Sequence, residues 1–290
     1  MTLIPQNSQY QYLIIGHLTT DLLDQGGTKM GGTVTYAGLT ALALGNRVSL
    51  LTSCSPDIDF SPLSGINLSV LPSKHTTTYK NISTPQGRVQ YMFDRAEPIT
   101  ASSIPSEWTS APLVQLGPIA DEIDPQIFTA FPNAFLGITP QGWLRGFDTD
   151  GKVHPINWQY DEDLLKRADA TVLSLEDLGS DPAKVGFWRS VSKILVITRN
   201  KKGATVYIGN EAHDFHAPIK DLVEDTGAGD VFSACFFHAY AQTHDPFAAT
   251  PFAVELAACS VTRKGFASIP TEEEVRSIAA KYGIKVGFND

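Results

Sequence analysis

Two glycines and an aspartate lie close together in the segment Asp225-Thr226-Gly227-Ala228-Gly229-Asp230, and an apolar run, 231–237, follows it directly. Glycines around a small residue let the backbone turn sharply and expose its N–H groups. The apolar run predicts a buried helix whose positive end faces that turn, which favours an anion site. A carboxylate repels phosphate, so Asp230 is better explained as a base aimed at a substrate hydroxyl. The segment indicates phosphoryl transfer, although an ordinary glycine turn capped by aspartate is the structural alternative.

The composition excludes several classes of protein. The 290 residues carry a formal net charge of −9, which leaves no basic excess to neutralise a nucleic-acid backbone. No apolar run is long enough to span a bilayer, and residues 1–10 lack the features of a signal peptide, so we expect a cytoplasmic protein without a membrane partner. The three cysteines, Cys54, Cys235 and Cys259, show no metal-ligand or redox spacing. Any anionic ligand must therefore be held by local groups.

The elements that must position the glycine turn alternate between strands and helices. Short apolar runs predict buried parallel strands, and the segments between them predict helices. This order favours one α/β domain, 1–290, with a doubly wound, mostly parallel sheet sandwiched by helices and antiparallel strands at 203–208 and 213–216 on one edge. The predicted strands are 12–16, 48–52, 113–117, 134–138, 171–175 and 194–198. The predicted helices are 33–44, 125–131, 161–168, 182–190, 227–241, 246–262 and 272–282.

A different pattern appears at 75–95. There β-branched and aromatic residues alternate with polar residues on both sides of the turn Pro85-Gln86-Gly87, which predicts a half-exposed hairpin. Together with residues 17–30, we interpret this segment as a small β lid. Exposed lid strands can pair between subunits, so the lid would allow a homodimer.

The motifs together resemble one known family. The segment 225–230 is similar to the C-terminal signature of the ribokinase-like sugar kinases, the PfkB family, and Gly31-Gly32 followed by small residues resembles the N-terminal signature. Residues 260–265 followed by Pro270 resemble the segment that lines the nucleotide site. The motifs occur in the family's order over essentially the whole chain. The resemblance implies an ATP- and Mg²⁺-dependent kinase that phosphorylates a hydroxyl of a small sugar or cyclitol.

The resemblance also implies the catalytic residues. Asp230 is expected to be the base that takes the proton from the attacking hydroxyl. Gly227, Ala228 and Gly229 are expected to form the anion hole that stabilises charge on the transferring phosphoryl group.

The residues expected to bind the acceptor come from the first half of the chain. Asp21 matches an acid that binds sugar hydroxyls, and Gly31 and Gly32 match a pair that lets the backbone approach the substrate. Tyr36 departs from the family, because many relatives have an asparagine there that binds substrate hydroxyls. A phenol still donates a hydrogen bond, but it fills volume and offers a face for stacking. Further candidates for the substrate wall, for which a surface or packing role is an equal alternative, are Arg88, Gln115 and Arg145.

The donor side is expected to lie at the ends of two later strands. The segment 196–203 resembles the family's nucleotide loop, with Asn200 in place of a glycine, and asparagine tolerates positive φ. Residues 174–177 replace an Asn-x-x-Glu motif, which leaves Glu176 or Asp177 to order Mg²⁺ through water. Asp225 and the loop 263–265 match the family's site for a monovalent cation such as K⁺. The expected nucleotide-binding residues are Ser174, Thr198, Asn200, Gly203, Thr226 and Gly227.

Two alternatives to a sugar or cyclitol kinase remain at this point. A nucleoside kinase on the same scaffold is favoured if Tyr36 stacks on a base. A catalytically silent protein that senses a sugar or nucleotide is the second alternative, but such a protein would have no chemical need for Asp230.

Overall fold

The computed structural model describes residues 11–84, 87–179 and 181–288, apart from the side chains of residues 83, 84, 87 and 88. In this part of the chain the strands form three sheets. The strands are β1 (Gln11–Ile15), β2 (Thr19–Leu22), β3 (Thr28–Gly31), β4 (Arg47–Cys54), β5 (Asn67–Pro72), β6 (Thr77–Thr84), β7 (Gly87–Asp94), β8 (Leu113–Leu116), β9 (Phe135–Ile138), β10 (Arg145–Phe147), β11 (Val153–Pro155), β12 (Ala170–Ser174), β13 (Leu195–Thr198), β14 (Ala204–Ile208) and β15 (Glu211–Phe215). The helices are α1 (Thr33–Ala43), α2 (Glu162–Leu165), α3 (Pro182–Val191), α4 (Ala228–Thr243), α5 (Pro246–Ser260) and α6 (Glu272–Tyr282).

The largest sheet has nine strands in the order β15-β14-β13-β12-β9-β8-β1-β4-β5. Neighbouring strands from β13 to β5 pair in parallel. At the other edge, β14 pairs antiparallel with β13, and β15 pairs antiparallel with β14. The chain runs outward from β1 through β4 to β5, and outward again from β8 through β9 to β13. The predicted doubly wound, mostly parallel sheet is therefore confirmed. Ligands of such sheets bind at the carboxyl ends of the strands where the direction switches, here between β1 and β8.

Each face of the main sheet is covered by its own apolar core. β1 is an uninterrupted apolar run because Tyr12 and Ile14 face one core, whereas Leu13 and Ile15 face the other. α1, α4 and α5 close the first core, and α3 contributes to the second. None of the helices in the described ranges combines the length and hydropathy needed to cross a bilayer.

A smaller sheet has the strand order β3-β2-β6-β7, and we call it the lid sheet. β2 pairs antiparallel with β3 and parallel with β6, while β6 and β7 form the predicted hairpin. Residues paired directly across strands point to the same face, so Asp21, Lys29 and Tyr79 share one face of the lid sheet. The predicted lid segments contain these strands except for Gly31.

Two predicted helices differ from the structure. The segment 125–131 forms only a 3-10 helix, Pro125–Thr129, which Asp124 caps. Phe131 precedes Pro132, and a following proline disfavours helical backbone, so the segment cannot extend into regular α-helix. The segment 161–168 is reduced to the single turn of α2.

A buried carboxylate ties the lid sheet to the main sheet. Glu122 is fully buried, and its oxygens accept hydrogen bonds from the backbone N–H groups of His17 (2.8 Å), Ile119 (2.9 and 3.1 Å) and Ala120 (2.7 Å). The His17 ring in turn lies 2.7 Å from the Thr77 hydroxyl on β6. One side chain therefore fixes both the loop after β8 and the chain that enters β2.

We expect Glu122→Ala to lower the free energy of unfolding by at least about 3 kcal/mol, because three buried N–H groups lose their acceptor at about 1–3 kcal/mol each. Urea unfolding measures this loss. Glu273→Ala, at an exposed position of α6, is the matched control and should change stability by less than about 0.5 kcal/mol. A loss as small as the control's would contradict the supporting role of Glu122.

Candidate active site

The glycine turn forms the amino-terminal end of α4. Gly227 has φ +83°, and a Cβ added there would lie 2.3 Å from Cδ1 of Tyr36, so this position requires glycine. The Ala228 N–H donates to the Asp225 carbonyl (3.1 Å), which closes the turn. The first N–H groups of a helix have no intrahelical acceptor, so those of Gly229 and its successor are oriented for an anion.

Asp230 lies in the first turn of α4, half-buried, with its side chain hydrogen-bonded to Thr33 at the start of α1. Burial raises the pKa of Asp230 from its usual 3.8 to about 7, and the charge of Asp177 adds to this shift. The Thr33 hydrogen bond and the Arg145 guanidinium oppose it. A carboxyl with a pKa near 7 is suited to accept a proton at neutral pH.

Tyr36 packs directly beneath the glycine turn. Its side chain is 2% exposed, and its ring lies against Gly227 and meets Phe266 edge-on at 5.6 Å. The Tyr36 hydroxyl is buried and has no hydrogen-bond partner among the described residues. Burial, followed by the charges of three nearby carboxylates, raises the pKa of Tyr36 well above its usual value. These carboxylates belong to Glu224, Asp230 and Asp21.

The acceptor side is built by close approach of β2, β3 and α1. A Cβ added at Gly31 would lie 2.9 Å from Oδ2 of the buried Asp21. Gly32 has φ +92°, and a Cβ there would lie 2.7 Å from the His17 carbonyl oxygen. The predicted glycine pair therefore lets the lid sheet and α1 meet. This arrangement places Asp21 close enough to Tyr36 for its charge to affect the phenol.

Arg145 belongs to the same site. Its Nη1 donates to the Ile119 carbonyl (3.1 Å), and its guanidinium lies 5.9 Å from the centre of the Tyr79 ring of the lid sheet. The Arg145 charge opposes the rise in pKa of both Asp230 and Asp177. The structure thus brings this predicted residue to the base.

The two acids proposed for magnesium have different surroundings. Asp177 accepts hydrogen bonds from the Gln141 side chain (2.8 Å) and the Ser174 N–H (3.1 Å), and burial raises its pKa. Glu176 is exposed and accepts a hydrogen bond from the Asn200 side chain (2.7 Å). Asp177 therefore lies close enough to Asp230 for its charge to act there, whereas Glu176 bonds to the predicted nucleotide loop.

The predicted nucleotide loop has the backbone that its sequence requires. Asn200 has φ +50°, which confirms that asparagine takes the positive φ expected at this position. Gly203 has φ +91°, and a Cβ there would lie 1.9 Å from the Phe215 carbonyl oxygen. Ser174 and Thr198 are paired at the adjacent ends of β12 and β13. Both strand ends lie next to this loop.

One predicted residue lies inside the core. Gln115 is fully buried in β8, where its Oε1 accepts a hydrogen bond from the Tyr12 hydroxyl (2.7 Å) and its Nε2 donates to Ser233 Oγ (3.1 Å). Both ends of the amide are used inside the core, so a place for Gln115 on the substrate wall stays a prediction. The Arg88 side chain lies outside the described residues.

Sequence reasoning missed several residues around the site. Thr33 bonds to the base, and Gln141 orients Asp177. Glu224 lies immediately before the glycine motif and bonds to Lys29 of β3 and to Thr226. Its position next to the motif was a signal for Glu224, but no local pattern links residues 29 and 224.

Comparison with known proteins points to the same chemistry. Residues 181–273 match the model of the pfkB family carbohydrate kinases. A cytidine kinase from Thermococcus kodakarensis is 24% identical over 264 residues, covering 79% of this chain and 88% of that protein. A pyrophosphate-dependent kinase in the ribokinase family, solved with a pyrophosphate analog and myo-inositol, has a TM-score of 0.79 at 21% identity, covering 92% of this chain and 99% of that chain. Arabidopsis thaliana ribokinase, solved with ribose and ATP, has a TM-score of 0.70 at 16% identity, covering 93% and 98%.

The doubly wound sheet, the glycine turn at a helix amino terminus and the carboxyl beside it define an α/β phosphotransferase. The match of residues 181–273 to the pfkB carbohydrate kinases and the fold shared with ribokinase-family kinases are consistent with a ribokinase-like kinase, a phosphotransferase with an alcohol group as acceptor. The resemblance that the sequence motifs indicate is confirmed by this match.

The raised pKa of Asp230 predicts a pH-dependent cost to stability. The folded protein binds this proton more tightly than the unfolded chain, so stability present below pH about 4 is lost as the pH rises through about 7. We expect Asp230→Asn to avoid this loss and to melt at least about 3 °C above the wild type at pH 8, with the gap narrowing towards pH 5. Calorimetry between pH 5 and 8 measures the gap.

Asp150→Asn, at an exposed turn, is the control for this experiment. A variant at Asp230 that melts below the wild type at pH 8 would show that the buried carboxylate stabilises the fold instead.

Proposed function

We propose that this protein transfers the γ-phosphoryl group of ATP to a hydroxyl of a small, neutral sugar or cyclitol. The observation that supports this most directly is the half-buried Asp230, with a pKa near 7, in the first turn of α4 beside the glycine turn. The Asp230 carboxylate can accept a proton, and the N–H groups of the glycine turn can stabilise an anion. In-line phosphoryl transfer needs both at the same point.

In the proposed reaction, Asp230 takes the proton of the acceptor hydroxyl as that oxygen bonds to the γ-phosphorus. The bond from the γ-phosphorus to the bridging oxygen breaks, and ADP leaves with that electron pair. The N–H groups at the start of α4 stabilise the negative charge that the transferring group carries. Arg145 adds a positive charge near the base, on the wall that Tyr79 and the lid sheet form.

Carboxylate oxygens are suitable ligands for Mg²⁺. In the described part of the chain, no group of three or more His, Cys, Asp or Glu side chains could hold a metal. A magnesium ion carried by the donor phosphates fits Asp177 better than Glu176, because Asp177 lies close enough to Asp230 for its charge to act there. Bound there, it would supply positive charge to the donor phosphates. A K⁺ site near Asp225 and residues 263–265 remains a prediction.

The charges around the acceptor side favour a neutral substrate. Among the described residues, Lys29 is paired with Glu224 at 3.1 Å. The Arg145 charge acts on both Asp177 and Asp230. The charges of Lys29 and Arg145 therefore already act on carboxylates of the site, which disfavours an acceptor that carries an additional phosphate or carboxylate. A neutral polyol, which Asp21 can bind through its hydroxyls, therefore suits the site better than a sugar phosphate or a sugar acid.

A nucleoside acceptor is the second candidate, and the similarity to a cytidine kinase over 79% of this chain favours it. The stacking role considered for Tyr36 does not favour it, because the ring is buried under Gly227 and against Phe266. Pyrophosphate is a second candidate donor, because one structural neighbour is a pyrophosphate-dependent kinase.

The panel that tests this function combines two donors, ATP and pyrophosphate, with neutral pentoses, hexoses, cyclitols, nucleosides and their phosphates, each with Mg²⁺ and with or without K⁺. We expect ATP with a neutral sugar or cyclitol to give the highest kcat/KM, because the charges of Lys29 and Arg145 already act on carboxylates of the site. Coupled detection of ADP or phosphate measures turnover. Preference for a sugar phosphate would contradict the neutral acceptor, and binding without turnover on every member would favour a sensor protein.

We expect Asp230→Asn to lower kcat by roughly 10²–10⁴-fold, the range typical for loss of a general base, while ATP still binds. For the wild type, kcat/KM should rise with pH through about 7 as Asp230 loses its proton. Steady-state kinetics and calorimetric ATP titration measure the two effects. Near-normal turnover of the variant on the best acceptor would show that another group is the base.

We further propose a homodimer through the lid sheet in a cytoplasmic protein. β7 is an edge strand of that sheet, and Phe93 on it is 57% exposed. Residues 151 and 152 cover this edge beside Tyr91 and Met92, so the part that is suited to a second copy is the end of β7 that carries the exposed Phe93 ring. Light scattering of the wild type and of Phe93→Ser tests the dimer.

A further inference from the structure

We propose that Glu224 is a positioning residue that links the lid sheet to the glycine turn through its ion pair with Lys29. The link would make acceptor binding and donor binding favour one another. This inference depends on the proposed kinase function for its kinetic test but not for its structural test.

Glu224 contacts three separate parts of the chain. Its Oε1 lies 3.1 Å from Lys29 Nζ on β3, and its Oε2 accepts a hydrogen bond from the Gly265 N–H at 2.7 Å. Its carboxylate is also hydrogen-bonded to the Thr226 side chain within the turn. The Glu224 N–H donates to the Val261 carbonyl (3.2 Å), which fixes its backbone to the end of α5. Glu224 therefore joins the lid sheet, the glycine turn and the loop after α5.

Lys29 supplies the connection to the acceptor side. It is paired directly opposite Asp21 across β2 and β3, so both side chains lie on one face of the lid sheet. Glu224 is separated from Asp225 by one peptide bond, and Gly227 begins the anion-binding turn two residues later. A displacement of β3 would move Lys29 relative to the Glu224 carboxylate. Because Glu224 also bonds to Thr226, the position of the glycine turn would change with it.

The ion pair between Lys29 and Glu224 is partly shielded from solvent, so we expect it to contribute more than a fully exposed ion pair. The Lys29 and Glu224 side chains are 33% and 24% exposed. In this half-buried setting the Glu224 carboxylate keeps two partners, the Gly265 N–H at 2.7 Å and the Lys29 ammonium at 3.1 Å. The lid sheet offers a contrast in Lys80, which lies 3.7 Å from a far more exposed Asp24. An exposed pair of that kind contributes little.

The chemistry of the site gives this link a function. Donor phosphates bind where the turn exposes N–H groups, and acceptor hydroxyls bind where Asp21 faces Lys29. Two ligands that each favour the same arrangement of Glu224 must strengthen each other's binding by the same factor. The link would thus favour an ordered turn when the acceptor site is filled, and it would disfavour transfer to water when that site is empty.

The structural test is hydrogen exchange of the protein without ligands, comparing the wild type with Lys29→Met. We expect the amides of residues 226–230 and of Gly265 to exchange at least about threefold faster in Lys29→Met, although the substitution lies on the lid sheet. Lys80→Met is the matched control and should leave these amides unchanged. Equal protection in Lys29→Met and the wild type, or equal loss in the control, would overturn the link.

The kinetic test uses the best donor and acceptor from the panel. In the wild type we expect saturating acceptor to lower the apparent KM of the donor by about fivefold, at the lower end of typical coupling factors. In Lys29→Met and Glu224→Gln this factor should approach one, and the double exchange Lys29→Glu with Glu224→Lys should restore part of it. An unchanged factor accompanied by a lower kcat would overturn the coupling. If no panel member is phosphorylated, the proposed function fails, but the exchange result still decides whether the link exists.

Discussion

The contact between Gly227 and the Tyr36 ring is the constraint on which the rest of the site depends. The chain can pass over a buried aromatic ring at this distance only without a Cβ and with φ at +83°. That passage directs the amino terminus of α4 to the carboxyl ends of β1 and β8. It also sets Asp230 beside Thr33 at the start of α1. The two halves of the chain meet at this contact, and the carboxylates of the site gather around it.

Electrostatics gives this packing its chemical character. Asp230 is half-buried near a second carboxyl, Asp177, and one guanidinium, Arg145, opposes the rise in pKa of both. Burial raises the pKa of Asp230 to about 7, and the Thr33 hydrogen bond and then the Arg145 charge limit this rise. A carboxyl with so raised a pKa is a candidate functional group, and its burial costs stability at high pH.

The sequence predicted much of the fold because its signals are local. β1 was recognisable because both of its faces are buried, and the backbone of Asn200 was foreseen from its tolerance of positive φ. The burial of Gln115 and its two hydrogen bonds were not foreseen, because a polar residue in a short strand does not reveal which face of the sheet it occupies. The contact of Lys29 with Glu224 joins residues 195 positions apart, so no local pattern could indicate it. The tie made by Glu122 depends on a loop conformation, which residue types alone do not specify.

The placement of Tyr36 under the turn has a consequence for how such an enzyme can diversify. One ring is at once a wall of the acceptor side and the support of the anion-binding turn, so a new side chain at position 36 alters both. A substitution of Tyr36 on α1 would therefore change acceptor preference and turnover together. The lid sheet is joined to the segment before the turn by the side chains of Lys29 and Glu224, whereas Tyr36 packs on the backbone of the turn itself. New acceptors are therefore reached with least damage by substitutions in the lid sheet, which makes that sheet the natural place to begin redesign.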